Sequence, residues 1–451
     1  MTDASPPDVG GLQTIHTLST QGRVIILVAA FLGWMFAGLE MAMFLAARPA
    51  IQHFLSVEQQ ADSDDSAEVG NQSDRSTVDA TENSEKPVSK WFARYICAFL
   101  LGAACGGLAF GWLGDHIGRA KTMGLSILCY SLVTGASYYV TDLPQFIALR
   151  FFACMGIGGM WPAGVALASE AWPDGYRPLL AGLIGTSANI GLAAMGAIGS
   201  QRAITPDDWR WVMLVGSVPA ILGLIVLIVV PESPRWLMSR STKHDEKIPI
   251  GTVFRPPYLK LTVIGILLGT VPLLGGWGSL NWLIPWADKV GDRIGEPGLK
   301  GETQFMRSSG AAVGSLLGGV LASFFGRRIT YFTISFTSLL ISGYIFWCLT
   351  PESPHFFKWV FVMGFSATVY FGWFPLYLPE LFPTHVRSTG SGVTFNFGRI
   401  VSAGGVLVAG ALVGYFGGDY AKAGRVTHLI YAVGMLVILF APDTSGRKME
   451  D

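Results

Sequence analysis

Glu40, Arg150 and Arg399 are ionisable residues set inside long apolar runs. Glu40 follows Phe36-Ala37-Gly38-Leu39, Arg150 precedes Phe151-Phe152-Ala153, and Arg399 closes Phe395-Asn396-Phe397-Gly398. Charge is expensive in an apolar interior, so each of these groups is a functional candidate by default. A carboxylate can take up and release a proton, and a guanidinium can hold an organic carboxylate in a two-pronged hydrogen bond. Glu40 therefore reads either as a coupling or substrate-contacting group or as the structural partner of an arginine. Arg150 reads either as an anion holder or as that partner, and Arg399 either as a second anion holder or as part of a packing ion pair. Asn189, Trp277, Asn281, Trp282, Tyr370, Trp373 and Asn396, all in mid-run, can add hydrogen bonds and flat faces for a small solute. Such aromatics also serve as packing or interfacial belts. There is no nucleophile–base pair and no cluster of metal ligands. No catalytic residue, metal or cofactor is assigned, and a proton is the one coupling ion considered.

A second constellation is charged, loop-placed and duplicated. Glu-x-x-Pro-x-x-x-Arg-x-x-x-x-Gly occurs as Glu170, Pro173, Arg177, Gly182 and again as Glu380, Pro383, Arg387, Gly392. Each copy joins two apolar segments, so the chain is two copies of one hydrophobic unit, as in transporters built from pseudo-symmetric halves. Gly111-Trp112-Leu113-Gly114-Asp115-His116-Ile117-Gly118-Arg119 has a weaker echo in Gly319 to Arg328, where Ser323 replaces the acid. Gly111 and Gly118 permit close backbone approach at a tight turn. Asp115 and Arg119 can pair with each other or cap a neighbouring helix end. Pro231-Glu232-Ser233-Pro234-Arg235-Trp236-Leu237 and Pro442-Asp443-Thr444-Ser445-Gly446-Arg447 close the two halves.

The elements that position these residues follow from composition. With 451 residues, 51% of them hydrophobic and 14% charged, and a mean hydropathy of +0.46, the chain belongs in a lipid bilayer. Zero formal net charge gives no reason to expect nucleic acid. Cys97, Cys105, Cys129, Cys154 and Cys348 lie in apolar segments without metal or redox spacing. Runs of about twenty apolar residues begin near Val24, Phe92, Thr122, Gln145, Pro178, Trp211, Tyr258, Thr303, Thr330, Phe356, Ser388 and Val426. They predict an all-α membrane protein of twelve transmembrane helices in two six-helix bundles. Its parts are an N-terminal tail (1–23), a first bundle (24–231), a central loop (232–257), a second bundle (258–442) and a C-terminal tail (443–451). Both termini and the central loop are expected in the cytoplasm, where Arg119, Lys121, Arg235, Arg327, Arg328 and Arg387 gather. The acidic stretch 56–90 has the composition of a disordered outer loop. Gly102/Gly106, Gly107/Gly111 and Gly314/Gly318 have the spacing of close helix crossings.

The segment from Gly111 to Arg119 resembles the Gly-x-x-x-Asp-x-x-Gly-Arg signature of the major facilitator superfamily, found between its second and third helices. The 231–237 segment resembles a motif of that family's sugar porters and organic ion transporters. Phe36 to Glu40 resembles the span-one motif of the sialate and aromatic-acid proton symporters, with Ala37 where they carry a first acid and Met160 where they commonly carry another. The resemblance implies a major facilitator fold working by alternating access. It implies a cytoplasmic gate of Asp115, Arg119, Glu170, Arg177, Glu232, Arg235, Glu380 and Arg387 that stabilises the outward-facing state.

The expected function is secondary transport of a small organic solute across the plasma or inner membrane, as a monomer. The solute is expected to be an organic acid or sugar acid moved with protons. Glu40 would carry the proton and Arg150 or Arg399 the anion. A uniporter, a carrier of neutral sugars or organic ions, and a non-transporting sensor are the alternatives.

Overall fold

The computed structural model describes residues 18–67, 77–172, 177–239, 249–383 and 386–444. Arg240, Lys243, Lys247, Arg447 and Lys448 lie outside these residues, as do Pro173 and the side chains of Arg177 and Arg235. In the first half, α1 (Thr20–Met41) passes through a 3₁₀ turn (Ala42–Ala46) into α2 (Ala47–Ala67). Then come α3 (Thr77–Ile117), α4 (Arg119–Ala136), α5 (Leu143–Ala171), α6 (Arg177–Gln201), α7 (Trp211–Ser217) and α8 (Ala220–Val229). A short α9 (Pro234–Ser239) leads to the second half. There α10 (Leu259–Leu274) and α11 (Leu283–Ile294) are followed by α12 (Leu299–Phe325), α13 (Arg327–Cys348) and α14 (Phe356–Glu380). The chain ends in α15 (Arg387–Tyr415), α16 (Tyr420–Thr427) and α17 (Ile430–Phe440). Among the described residues, ten helical stretches are long and apolar enough to cross a membrane. With α4 and α12 they complete twelve traverses.

The acidic segment 56–90 departs from its expectation. Residues 58–67 and 77–90 are helical, as extensions of α2 and α3. Glu85 is buried against Arg48 at 3.0 Å, a pairing that a composition-based reading cannot anticipate.

The first helix of each half breaks in mid-course. In α1/α2 the break is the 3₁₀ turn just after Glu40. Between α10 and α11 it is a π-helical turn (Gly275–Ser279) followed by a 3₁₀ turn (Leu280–Trp282). Pro272 lacks a backbone donor just before it, and the turn is rich in glycine. Such irregular turns release backbone groups from the helical ladder and re-aim side chains, which is why they recur at functional sites. Here they present Glu40 in one half and Trp277 and Asn281 in the other.

The halves meet along α3 with α15 and α6 with α12. At one end these pairs pack with no room for a side chain: a Cβ on Gly301 would stand 2.3 Å from the Ser200 nitrogen, and one on Gly410 2.3 Å from the Ala93 Cβ. At the other end, where the repeated motifs lie, a Cβ on Gly111, Gly182 or Gly392 would meet nothing within 4 Å. The two halves therefore close at the end of α2 and α11 and part at the motif end. The close approach expected at Gly111 is absent because this residue faces the parted side. Gly102, Gly106, Gly314 and Gly318 do lie against backbone carbonyls of α5 and α14, within their own bundles.

Candidate functional site

Asp142 accepts a hydrogen bond from the Gln145 backbone N–H at 2.8 Å and caps α5. Two turns further on, that helix points Arg150 into the first bundle. Its guanidinium meets Glu40 Oε1 at 2.7 Å, and the two side chains are 3% and 0% exposed. The Thr134 hydroxyl donates to the same oxygen at 2.7 Å. Arg150 also donates to the carbonyls of Glu40 and Met41 at 3.3 and 3.4 Å, where α1 tightens into its 3₁₀ turn. Glu40 Oε2 accepts no hydrogen bond among the described residues. Beside the pair is a cavity of about 10 Å³, lined by Tyr95, Thr134 and Ser137 among others, at the lower limit for one water. Of the two alternatives left open for Arg150, the structure takes partnership with Glu40.

Aromatic contacts link this pair to the other half. The Arg150 Cζ lies 4.8 Å from the Tyr95 ring centroid and 5.6 Å from that of Phe99. Phe99 packs at 4.3 Å on Trp277, across the interface. Phe44, just beyond Glu40 on the broken first helix, also meets Trp277, edge to face at 6.2 Å.

On the C-terminal side of the contact between the halves are two arginines whose partners among the described residues are neutral. Arg307, on α12, donates to Asn281 Oδ1 at 3.1 Å and Gln304 Oε1 at 2.9 Å, and its Cζ is 5.6 Å from the Phe44 ring. Arg399, on α15, donates to the Ala103 carbonyl at 3.2 Å and Asn396 Oδ1 at 3.3 Å. Asn189 reaches across to Ser315 at 3.3 Å. Arg150, Trp277, Asn281, Asn396, Arg399 and Asn189 thus lie along the contact between the halves or one side chain from it. Arg307 was absent from the sequence expectation. It falls near the start of an apolar run, in Gln304-Phe305-Met306-Arg307-Ser308-Ser309, and looks like the end of the run rather than its interior.

Three expected pocket residues lie elsewhere. Trp373 is fully buried in the second bundle between Tyr331 and Tyr377, with Nε1 on the Arg327 carbonyl at 2.8 Å. Tyr370 is fully buried with Ser335 at 2.7 Å. Trp282 packs on Phe92 near the closed end. Their helices are apolar on every side, so sequence gives no phase by which to separate core-facing from gap-facing aromatics.

A second set of buried charges seals the closed end. Arg48 pairs with Asp288 at 2.9 Å and Glu85 at 3.0 Å, and also reaches Asp292 at 3.1 Å. Lys300 pairs with Asp288 at 2.7 Å, and the Tyr420 hydroxyl donates to Glu85 at 3.2 Å. Arg48 and Glu85 come from the first half, the others from the second.

At the parted end the motif charges have partners within their own bundles. Asp115 meets Arg119 at 2.7 Å, and Arg119 lies 3.7 Å from Glu170. Glu232 Oε1 accepts from the backbone N–H groups of Arg119 and Ala120 at 2.8 and 3.0 Å, capping α4. In the second half Arg327 pairs with Glu380 at 2.7 Å, and Thr444 donates to the same carboxylate. Arg387 donates to the Phe382 carbonyl at 3.5 Å. Gly118 makes the first arrangement possible: its φ is +111°, and a Cβ there would stand 2.1 Å from Glu232 Oε2. Gly118→Val is expected to strain the backbone by roughly 1–3 kcal/mol and expel Glu232, lowering the thermal midpoint in detergent. Gly111→Ala, facing open space, should leave it unchanged. Equal midpoints for the two variants would refute this account of the turn.

Residues 30–406 match the Major Facilitator Superfamily, and the chain belongs to that family. It is a multi-pass membrane transporter and not an enzyme. It is 27% identical to the cis,cis-muconate transport protein of Acinetobacter baylyi over 70% of this chain and 76% of that protein. It is likewise 27% identical to the sialic acid transporter NanX of Escherichia coli, over 69% and 75%. A crystal structure of a D-xylose–proton symporter shares the fold with a TM-score of 0.69 at 17% identity, covering 95% of this chain and 100% of that one.

Proposed function

We propose that this transporter moves a small organic anion across the cell membrane by alternating access, in symport with protons. One observation carries the reading: Arg150 is neutralised by Glu40, whereas Arg307 and Arg399 face the gap between the halves with no carboxylate partner among the described residues. An arginine left uncompensated at membrane depth marks a substrate path, and its planar fork suits a carboxylate. The relatives named for muconate and sialic acid carry organic acids, which supports the same class.

Glu40 would carry the proton. Protonation of its carboxyl weakens the hold on Arg150, and Arg150 bears on Phe99, which bears on Trp277 of the opposite half. The charge state of one buried acid is thereby felt at the wall of the substrate gap. The positive-inside tendency places the end bearing Arg119, Lys121, Arg327, Arg328 and Arg387 in the cytoplasm, with both termini. The conformation described is then inward-facing, with the Arg48–Asp288 cluster as the outer seal. The motif charges at the cytoplasmic face would rearrange across the gap when it closes.

Uptake into proteoliposomes, run with labelled organic acids and neutral sugars side by side, tests the substrate class. Acids should enter and sugars should not, and Arg307→Gln or Arg399→Gln should each lower acid uptake about tenfold or more, the loss of one charge-assisted contact. Sugar uptake that is indifferent to both variants would contradict the proposal.

A further inference from the structure

Each of the two uncompensated arginines belongs to a small, separately built unit. The cations whose side chains are at most 5% exposed, Arg48, Arg150 and Lys300, all have a carboxylate. Arg307 and Arg399 are half-buried and have amide and carbonyl oxygens instead. In the first unit the fully buried Asn281 turns its Oδ1 to Arg307, which leaves its Nδ2 donor without a partner. Guanidinium and amide N–H groups so placed form a donor set for an anion, and an unpaired buried donor is costly unless something accepts from it. The second unit repeats the Oδ1 pairing, with Asn396 on Arg399, but Asn396 Nδ2 donates to the Gly392 carbonyl at 3.0 Å, so the guanidinium is its anion donor and Asn396 orients it.

The units are held apart by aromatic surface. Asn281 lies four residues beyond Trp277 on one helix, and Ala103, the partner of Arg399, four residues beyond Phe99 on another. Phe99 and Trp277 pack together, and their helices run in opposite directions, so the units sit on opposite sides of that contact. At 1.5 Å per residue the two offsets add to roughly 12 Å along the bundle. Allowing about 3 Å for a hydrogen bond at each end leaves about 6 Å between the two acceptor oxygens, the span of a short dicarboxylate of about four to six carbons, carboxyl carbons included.

Resting on the organic-anion reading above, we infer that the substrate carries two anionic groups, one for each Arg–Asn unit, at the ends of a short apolar or unsaturated chain of about four to six carbons, the anionic groups included. The first anion is held by Arg307 with Asn281, the second by Arg399 with Asn396, and Phe44, Phe99 and Trp277 cover the spacer. A monocarboxylate leaves one of the arginines uncompensated.

The test uses the full chain in proteoliposomes at neutral pH with labelled straight-chain dicarboxylates of four, six and eight carbons, and hexanoate as the single-charge control. Hexanedioate should enter about tenfold faster than hexanoate, and octanedioate more slowly than the four- and six-carbon diacids. Arg399→Gln should bring the hexanedioate to hexanoate ratio to about one. Thermal stabilisation of the wild-type protein by each compound gives the same ranking without any variant. Equal uptake and equal stabilisation by hexanoate and hexanedioate would overturn the two-anion inference while leaving organic-anion transport standing. Stabilisation and uptake by neutral sugars alone would overturn both.

Discussion

Glu40→Gln is expected to abolish accumulation driven by a pH gradient while leaving exchange of substrate down its own gradient. One pH unit corresponds to 1.36 kcal/mol per proton, so one proton per solute across two units supports an accumulation of about 100-fold, and the variant should fall to about one. Glutamine keeps the shape and can still accept from Thr134, but it cannot change charge. It also leaves Arg150 buried without its counter-ion, and breaking a buried pair on one side costs about 3–5 kcal/mol. The double variant Glu40→Gln/Arg150→Gln separates the two effects: it should recover stability without recovering accumulation. Gradient-driven accumulation in a stable double variant would place the coupling residue elsewhere.

The second large effect is expected at the closed end. Asp288 accepts from both Arg48 and Lys300, so Asp288→Asn strands two buried cations at the contact between the halves. A loss of about 3–5 kcal/mol in this state alone shifts the conformational equilibrium by roughly 10²- to 10⁴-fold. The paired substitutions Ser89→Cys and Gly414→Cys report it, because a Cβ on Gly414 would stand 3.4 Å from Ser89 Oγ. With the five native cysteines replaced, the pair should cross-link readily in the wild-type background and poorly with Asp288→Asn. An unchanged yield would show that the cluster does not hold the end shut.

These effects rest on residues of unequal visibility in the sequence. The twelve runs and the Gly118 turn were legible because membrane spans need long apolar stretches and a positive φ needs glycine. Glu40 and Arg150 were both legible as buried charges, but their pairing was one of two alternatives and is fixed only by α5 crossing α1. Arg48, Asp288 and Lys300 were missed because counting apolar residues ends a span near its first charge, and Arg307 because it stands only four residues into its run. The helices run on past these charges, which are neutralised by partners that the fold brings together, as Arg48 and Asp288, or have amide partners, as Arg307. The burial of Glu85 was not legible, because its partners, Arg48 and Tyr420, are brought to it only by the fold.

Coupled organic-anion transport is tested most directly by recording external pH while hexanedioate is added to de-energised, weakly buffered proteoliposomes containing the wild-type protein, with labelled uptake followed in parallel. The proposed symport predicts alkalinisation of the medium that rises in proportion to uptake and is absent with Glu40→Gln. Uptake of the labelled anion with no change in external pH would contradict it.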